Sequence, residues 1–160
     1  MNKQIHGIAF FHIQKLTKFG IFKAFRDRVL TKSNTLQQGK IRVLKSRNIG
    51  SNEIIDIEGY DTYIDDVGNL EVGKYLNRTD CVLVPNLSYY PRACFMPNDC
   101  IADGSVAILT APPDCNITTD DLAYYATDEF CKFYSIARNR GTRSLNIDNN
   151  SVFFFGKLKN

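Results

Sequence analysis

The chain has 160 residues, 44% of them hydrophobic and 23% charged, with five prolines and a formal net charge of +3. That composition describes one globular domain with an ordinary core, and it excludes a disordered, collagen-like or coiled-coil chain. A chain of this length buries roughly 70% of its unfolded surface and needs neither disulfides nor metal to fold. No run approaches the ~20 apolar residues of a membrane span, and the first residues lack a signal-peptide pattern, so a cytoplasmic protein with no membrane partner is expected.

In chain order, residues 5–25 (IHGIAFFHIQKLTKFGIFKAF) come first. They are apolar and basic, with Ile5, Ala9, Ile13 and Leu16 near helical spacing, as in a membrane-surface helix. Gly7 and Gly20 interrupt that pattern and phenylalanines fall on every face. A buried strand and turn, or a segment continuing from a preceding domain, is the better expectation. Short strand-like runs follow: IRVLK at 41–45, EIIDIE at 53–58, CVLVP at 81–85, ACFM at 93–96 and SVAILT at 105–110. Gly39, Asn52, Gly59, Gly68, Asn98 and Gly104 punctuate them. One long helix is then predicted. Thr118 is its N-cap, Asp120 and Asp121 complement its dipole, and Leu122, Tyr125, Ala126, Phe130, Phe133, Tyr134 and Ala137 recur every three or four residues. Arg138, Arg140 and Gly141 mark its end. A last run, SVFFFGKL at 151–158, reads as a strand buried on both faces. The expected fold is α+β, a curved mixed β-sheet of short strands with one long helix packed against it. Residues 1–24 form a lead-in segment to a domain at 25–160.

The five cysteines (Cys81, Cys94, Cys100, Cys115 and Cys131) nowhere form C-x-x-C, and only His6 and His12 could join them. Buried free thiols are expected, not a zinc site. Charge is strongly segregated. Residues 1–50 carry 11 Lys/Arg against Asp27 alone, residues 51–130 carry 3 basic against 15 acidic groups, and residues 131–160 carry 6 basic groups against Asp148. Either both ends build a face for a polyanion, or they pack against the acidic middle.

Catalytic groups are sparse. The sequence holds no G-x-S-x-G and no P-loop, and no cysteine lies close to a histidine. Asp61 with Glu71-Val-Gly-Lys74 misses nuclease spacing by one position, and Asn86-Leu-Ser-Tyr89 lacks the prolines of an amino-methyltransferase motif. No catalytic residue is assigned and no cofactor is expected in this chain. Three loops stand out instead. VPNLSYYPR at 84–92 carries Asn86, Ser88, Tyr89, Tyr90 and Arg92 between two prolines that stiffen it. LKSRNIG at 44–50 offers Lys45, Ser46, Arg47 and Asn48, and ARNRGTRSLN at 137–146 offers Arg138, Arg140, Thr142, Arg143, Ser144 and Asn146. Arg and Asn match guanine and adenine edges, while Ser, Thr and Lys suit phosphates. Arg92 is the foremost candidate for a base contact, with Tyr89 and Tyr90 shaping its approach. The alternative role for Arg92 is a structural ion pair with Asp99 or Asp103.

The run from Tyr75-Leu76-Asn77-Arg78 through VLVPNLSYYPRACFMPNDCIADGSVAIL resembles the C-terminal target-recognition domain of TaqI-like adenine-N6 DNA methyltransferases of type II restriction–modification systems. DEFCKFYSIARNRGTRSLNID at 128–148 with SVFFFG at 151–156 looks like the closing helix and strand of that domain, and RVLTKSNTLQQGKIRVLKSRNIG at 28–50 is similar to its opening strands. The likeness covers roughly residues 25–158. It implies a specificity module that reads double-stranded DNA. A methyltransferase catalytic domain, in cis or in trans, binds S-adenosylmethionine and flips the target adenine. Half of a type I restriction specificity subunit, a protein–protein interaction module anchored by the tyrosines, and a small nuclease are the alternatives.

Overall fold

The computed structural model describes residues 16–137, 145–147 and 150–159. Its centre is a four-stranded antiparallel sheet of β2 (Lys23–Phe25), β9 (Val106–Thr110), β5 (Val82–Pro85) and β7 (Cys94–Phe95), in that order. β5 and β9 pair Val82 with Leu109, Leu83 with Ile108, Val84 with Ala107 and Pro85 with Val106. Because side chains alternate along a strand, Val82, Val84, Ala107 and Leu109 share one face, and Leu83, Val106 and Ile108 the other. Both faces are covered. The first packs against Leu122, Tyr125, Phe130 and Phe133, and the second against Val43, Leu44, Ile101 and Ala102. This double burial is why CVLVP and SVAILT are continuously apolar instead of alternating.

The second covering layer is a three-stranded sheet. In it β3 (Ile41–Leu44) runs antiparallel to β4 (Thr62–Ile64) and parallel to β8 (Cys100–Ala102). Two small pairings close the molecule: β1 (Leu16–Lys18) with β11 (Lys157–Leu158), and β6 (Leu87–Ser88) with β10 (Leu145–Asn146). The class is therefore α+β, with several small sheets in place of one. Residues 16–18 and 23–24 of the lead-in segment pair with the rest of the domain through β1 and β2. No helix among the described residues is long and apolar enough to cross a membrane.

The expected single helix is two: α1 (Thr119–Tyr125) and α2 (Asp128–Ala137). Thr118 caps α1 as anticipated, in a reciprocal box with Asp121. The break comes from Thr127, whose hydroxyl donates to the Tyr124 carbonyl at 2.7 Å and accepts the Phe130 amide at 3.1 Å. Thr127-Asp128-Glu129 is a complete helix start of its own, and it overrides the continuing apolar period. The corner gathers an aromatic cluster around Phe130, with ring centroids of Tyr125 at 5.1 Å and Phe155 at 5.2 Å. The expected helix end at Arg138, Arg140 and Gly141 lies outside the described residues.

Two strand expectations are corrected. SVFFFGKL forms a 3₁₀ turn at Ser151–Phe154 and only then the short β11, with Phe155 buried and Phe153 half exposed. Four bulky apolar residues in a row suit a turn that throws its side chains in several directions. EIIDIE makes one isolated bridge, Ile49 with Ile54, because the Ile55 carbonyl is taken by Asn48 Nδ2 (2.9 Å) and Arg42 Nη2 (3.1 Å) and is lost to a ladder. Four of the five cysteines are buried as expected, and Cys131 is half-buried. All five are free, and desolvation pushes the Cys81 and Cys100 thiols up to about 11 and Cys94 up to about 12.

Asp121 closes the helical layer. It is buried, and it accepts from the Thr118 amide (2.8 Å), the Leu158 amide (2.9 Å) and Lys157 Nζ (3.2 Å). Burial alone would raise its carboxyl, but these donors outweigh it and hold the group below the usual carboxylate range. A depressed folded value stabilises above the unfolded value of about 4 and is lost as pH falls through the folded one. Asp121→Ala is therefore expected to cost about 2–4 kcal/mol at pH 7. In urea unfolding, its deficit against the parent chain should shrink as pH drops below about 4.

Candidate functional site

Two of the loops singled out in the sequence, 44–50 and 84–92, meet at one end of the central sheet, and the Leu145–Asn146 strand that ends the third segment lies beside them. β5, β3 and β8 finish there, and β9 and β7 begin there. The Asn86 amide donates to the Ser105 carbonyl (2.8 Å), the Asp103 amide to the Leu44 carbonyl (3.0 Å), and the Asn52 amide to the Ala93 carbonyl (2.9 Å). β10 lies against β6, with Leu145 opposite Ser88 and Asn146 opposite Leu87, and the Ile147 amide donates to the Asn86 carbonyl at 3.1 Å. The backbone of Asn146 is thereby beside the 84–92 loop. Arg140, Arg143 and Ser144 precede it and lie outside the described residues.

Arg92 knits two of the loops together. Its Nε donates to the Ile49 carbonyl (2.6 Å), its Nη2 to the Ser46 carbonyl (3.2 Å) and its Nη1 to the Ser88 hydroxyl, which in turn donates to the Tyr90 carbonyl (2.7 Å). The guanidinium is half-buried, and desolvation lowers its pKa from the ordinary arginine value. Its hydrogen-bond partners are two carbonyls and a hydroxyl, none of them an acid, so the alternative of an ion pair with Asp99 or Asp103 is not what forms. Asp103 instead accepts from the Ser105 amide (2.9 Å) and hydroxyl (2.6 Å).

The 44–50 loop divides its candidates by burial. Asn48 is fully buried: Oδ1 accepts the Lys45 amide (2.9 Å), and Nδ2 donates to Asp61 Oδ1 (2.6 Å) and the Ile55 carbonyl. It is committed to the interior. Arg42 joins the same knot through Asp61 (2.7 Å) and Asp56. Burial would raise the Asp61 carboxyl, but the Ile57 amide, Asn48 and Arg42 hold it below the usual range. Lys45 donates to the Tyr60 carbonyl and lies 4.0 Å from the Tyr60 ring centre, while exposed Arg47 lies 4.8 Å from the same ring. Tyr60 was not anticipated from sequence; its only signal was a tyrosine after Gly59 at a turn.

The 84–92 loop is the most outward feature. Tyr89 and Tyr90 are 70% and 61% exposed, and Leu87 between the polar residues is 59% exposed. Beneath them Asn86 is only 6% exposed, and its Oδ1 is buried without a hydrogen-bond partner among the described residues. An orphan acceptor of this kind costs about 1–3 kcal/mol, so it calls for an explanation. At this end Lys45, Arg47 and Arg92 lie among Glu53, Asp56, Asp61 and Asp103, so the charge is mixed. Some acids of the middle segment pair with the basic ends, as Arg42 with Asp61 and Lys157 with Asp121 show, while Glu53 remains exposed beside the 44–50 loop.

The chain matches no known protein-family model, and comparison with curated protein sequences returns no match.

Arg92→Ala removes three hydrogen bonds from a half-buried cation and frees the 84–92 loop from the 46–49 turn. Chemical denaturation should show a loss of about 2–4 kcal/mol. Arg92→Lys should recover little of it, because a point cation cannot reach acceptors spread across a planar fork.

Proposed function

We propose that this chain is the DNA sequence-recognition module of a restriction–modification adenine-specific methyltransferase. It binds double-stranded DNA and specifies the site that a separate catalytic domain, carrying S-adenosylmethionine, methylates. The observation that carries the reading is the meeting of the 44–50 and 84–92 loops at one end of the sheet, braced by Arg92, with the Leu145–Asn146 strand beside them. The resemblance of residues 25–158 to target-recognition domains supports it, as does the exposed arginine Arg47 beside them.

Within this reading the roles redistribute. Arg92 and Asn48 set the shape of the surface. Arg47 and Lys45 supply positive charge to phosphates, and Tyr89, Tyr90 and Leu87 supply the apolar contact. Asn86 takes the base-reading role if the 84–92 loop lifts on docking and uncovers its buried Oδ1, which an amino donor from an adenine or cytosine edge then satisfies. A protein-interaction module is the second reading, favoured by the Leu87, Tyr89 and Tyr90 exposure.

Fluorescence anisotropy on duplexes selected from a random pool tests the first reading. With about five phosphate contacts, log K falls against log salt with a slope of about −4 to −5, and Arg47→Ala reduces that slope by about 1. Salt-independent binding, or none, removes the DNA assignment. Asn86→Ala separates reading from bracing. Its melting temperature equals or exceeds that of the parent, because an unsatisfied buried acceptor is removed, while discrimination at one base pair drops by about 1–3 kcal/mol. Arg92→Ala loses stability and weakens all sequences alike.

A further inference from the structure

At the opposite end of the central sheet from these loops lies a cavity of about 720 Å³, within the size range of small-molecule sites. It opens where β5 and β2 begin and β9 and β7 finish. Lys23 stands opposite Thr110 in the β2–β9 ladder, and Phe95 opposite Val82 in the β7–β5 ladder. Lys23, Arg78, Thr110, Asn116, Phe95 and Ile117 are among its lining residues. The wall after β9 is stiff. Pro112 and Pro113 fix the backbone, and the Cys115 amide donates back to the Pro112 carbonyl at 2.9 Å. Arg78 is held by Asp80 through Nε (3.2 Å) and Nη2 (2.8 Å), which orients the guanidinium and engages the only acid among the described lining residues. Lys23 is exposed and makes no ion pair with any described residue. The pocket therefore combines a preset apolar and aromatic wall with one uncompensated positive charge.

We propose that this cavity is a binding site for a small organic monoanion, a carboxylate or sulfonate on a planar apolar body. The body packs on Phe95, Ile117 and the proline wall. The anionic group meets Lys23, with Thr110 and Asn116 as supporting hydrogen-bonding groups. The site is independent of the DNA reading, since it lies at the other end of the sheet.

The probe for the test is 8-anilinonaphthalene-1-sulfonate, titrated by fluorescence into the full chain. The expected result is saturable one-to-one binding, weakened about tenfold by Lys23→Glu, as loss of a charge-assisted contact does, and unchanged by Arg47→Ala. The uncharged analogue N-phenyl-1-naphthylamine binds correspondingly less well. Backbone amide shifts on titration should centre on residues 110–117. Binding that Lys23→Glu leaves intact overturns the proposal. So does fluorescence lost in Tyr90→Ser but kept in Lys23→Glu, because the probe then sits on the exposed tyrosine loop. Equal affinity for the charged and uncharged probes also overturns it.

Discussion

The constraint behind this structure is that the β5–β9 ladder is covered on both faces. With helices on one side and a second sheet on the other, every side chain in the middle of those strands is apolar and buried. Polar chemistry is thereby confined to the strand ends. The two features with chemical potential, the convergent loops and the cavity beside Lys23, occupy opposite ends for this reason. The sheet acts as a rigid spacer between them.

At the loop end, order is imposed by buried polar groups. Asn48 closes its own turn and reaches Asp61, Asp61 holds Arg42, and Arg92 holds the backbone of that same turn. Each bond is worth only about 1 kcal/mol net, somewhat more where a charge is involved. Losing any partner strands the rest in a low dielectric, so the set behaves as a unit. The exposed residues Arg47, Leu87, Tyr89 and Tyr90 are mounted on this unit. A surface so mounted loses little conformational entropy when it docks.

Sequence made the interior legible. CVLVP and SVAILT read as strands, though their coverage on both faces came only with the structure, and Thr118 with Asp121 marked a helix start to the residue. What sequence did not disclose were competitions decided by local hydrogen bonds. Thr127 could continue a helix or restart one, and its hydroxyl chose the restart. EIIDIE had strand composition, but the Ile55 carbonyl was claimed by Asn48 and Arg42. The candidate loops were found because Arg, Asn and Tyr concentrate there, yet composition cannot separate an arginine that faces outward from one that braces. Arg47 and Arg92 look alike in sequence; only the carbonyls of Ser46 and Ile49 distinguish them.

The pairing of Leu16 with Leu158 bears on how the protein is made. The first and last strands described are partners, so β1 leaves the ribosome long before β11 exists and waits with an unsatisfied edge. Bare strand edges recruit other chains, and contacts between distant segments form late. The β5–β9 ladder can assemble during synthesis, because its strands are close in sequence. The seam between β1 and β11 closes only after translation has passed residue 158. Until then a nascent chain depends on dilution or on chaperones to keep that edge from pairing elsewhere.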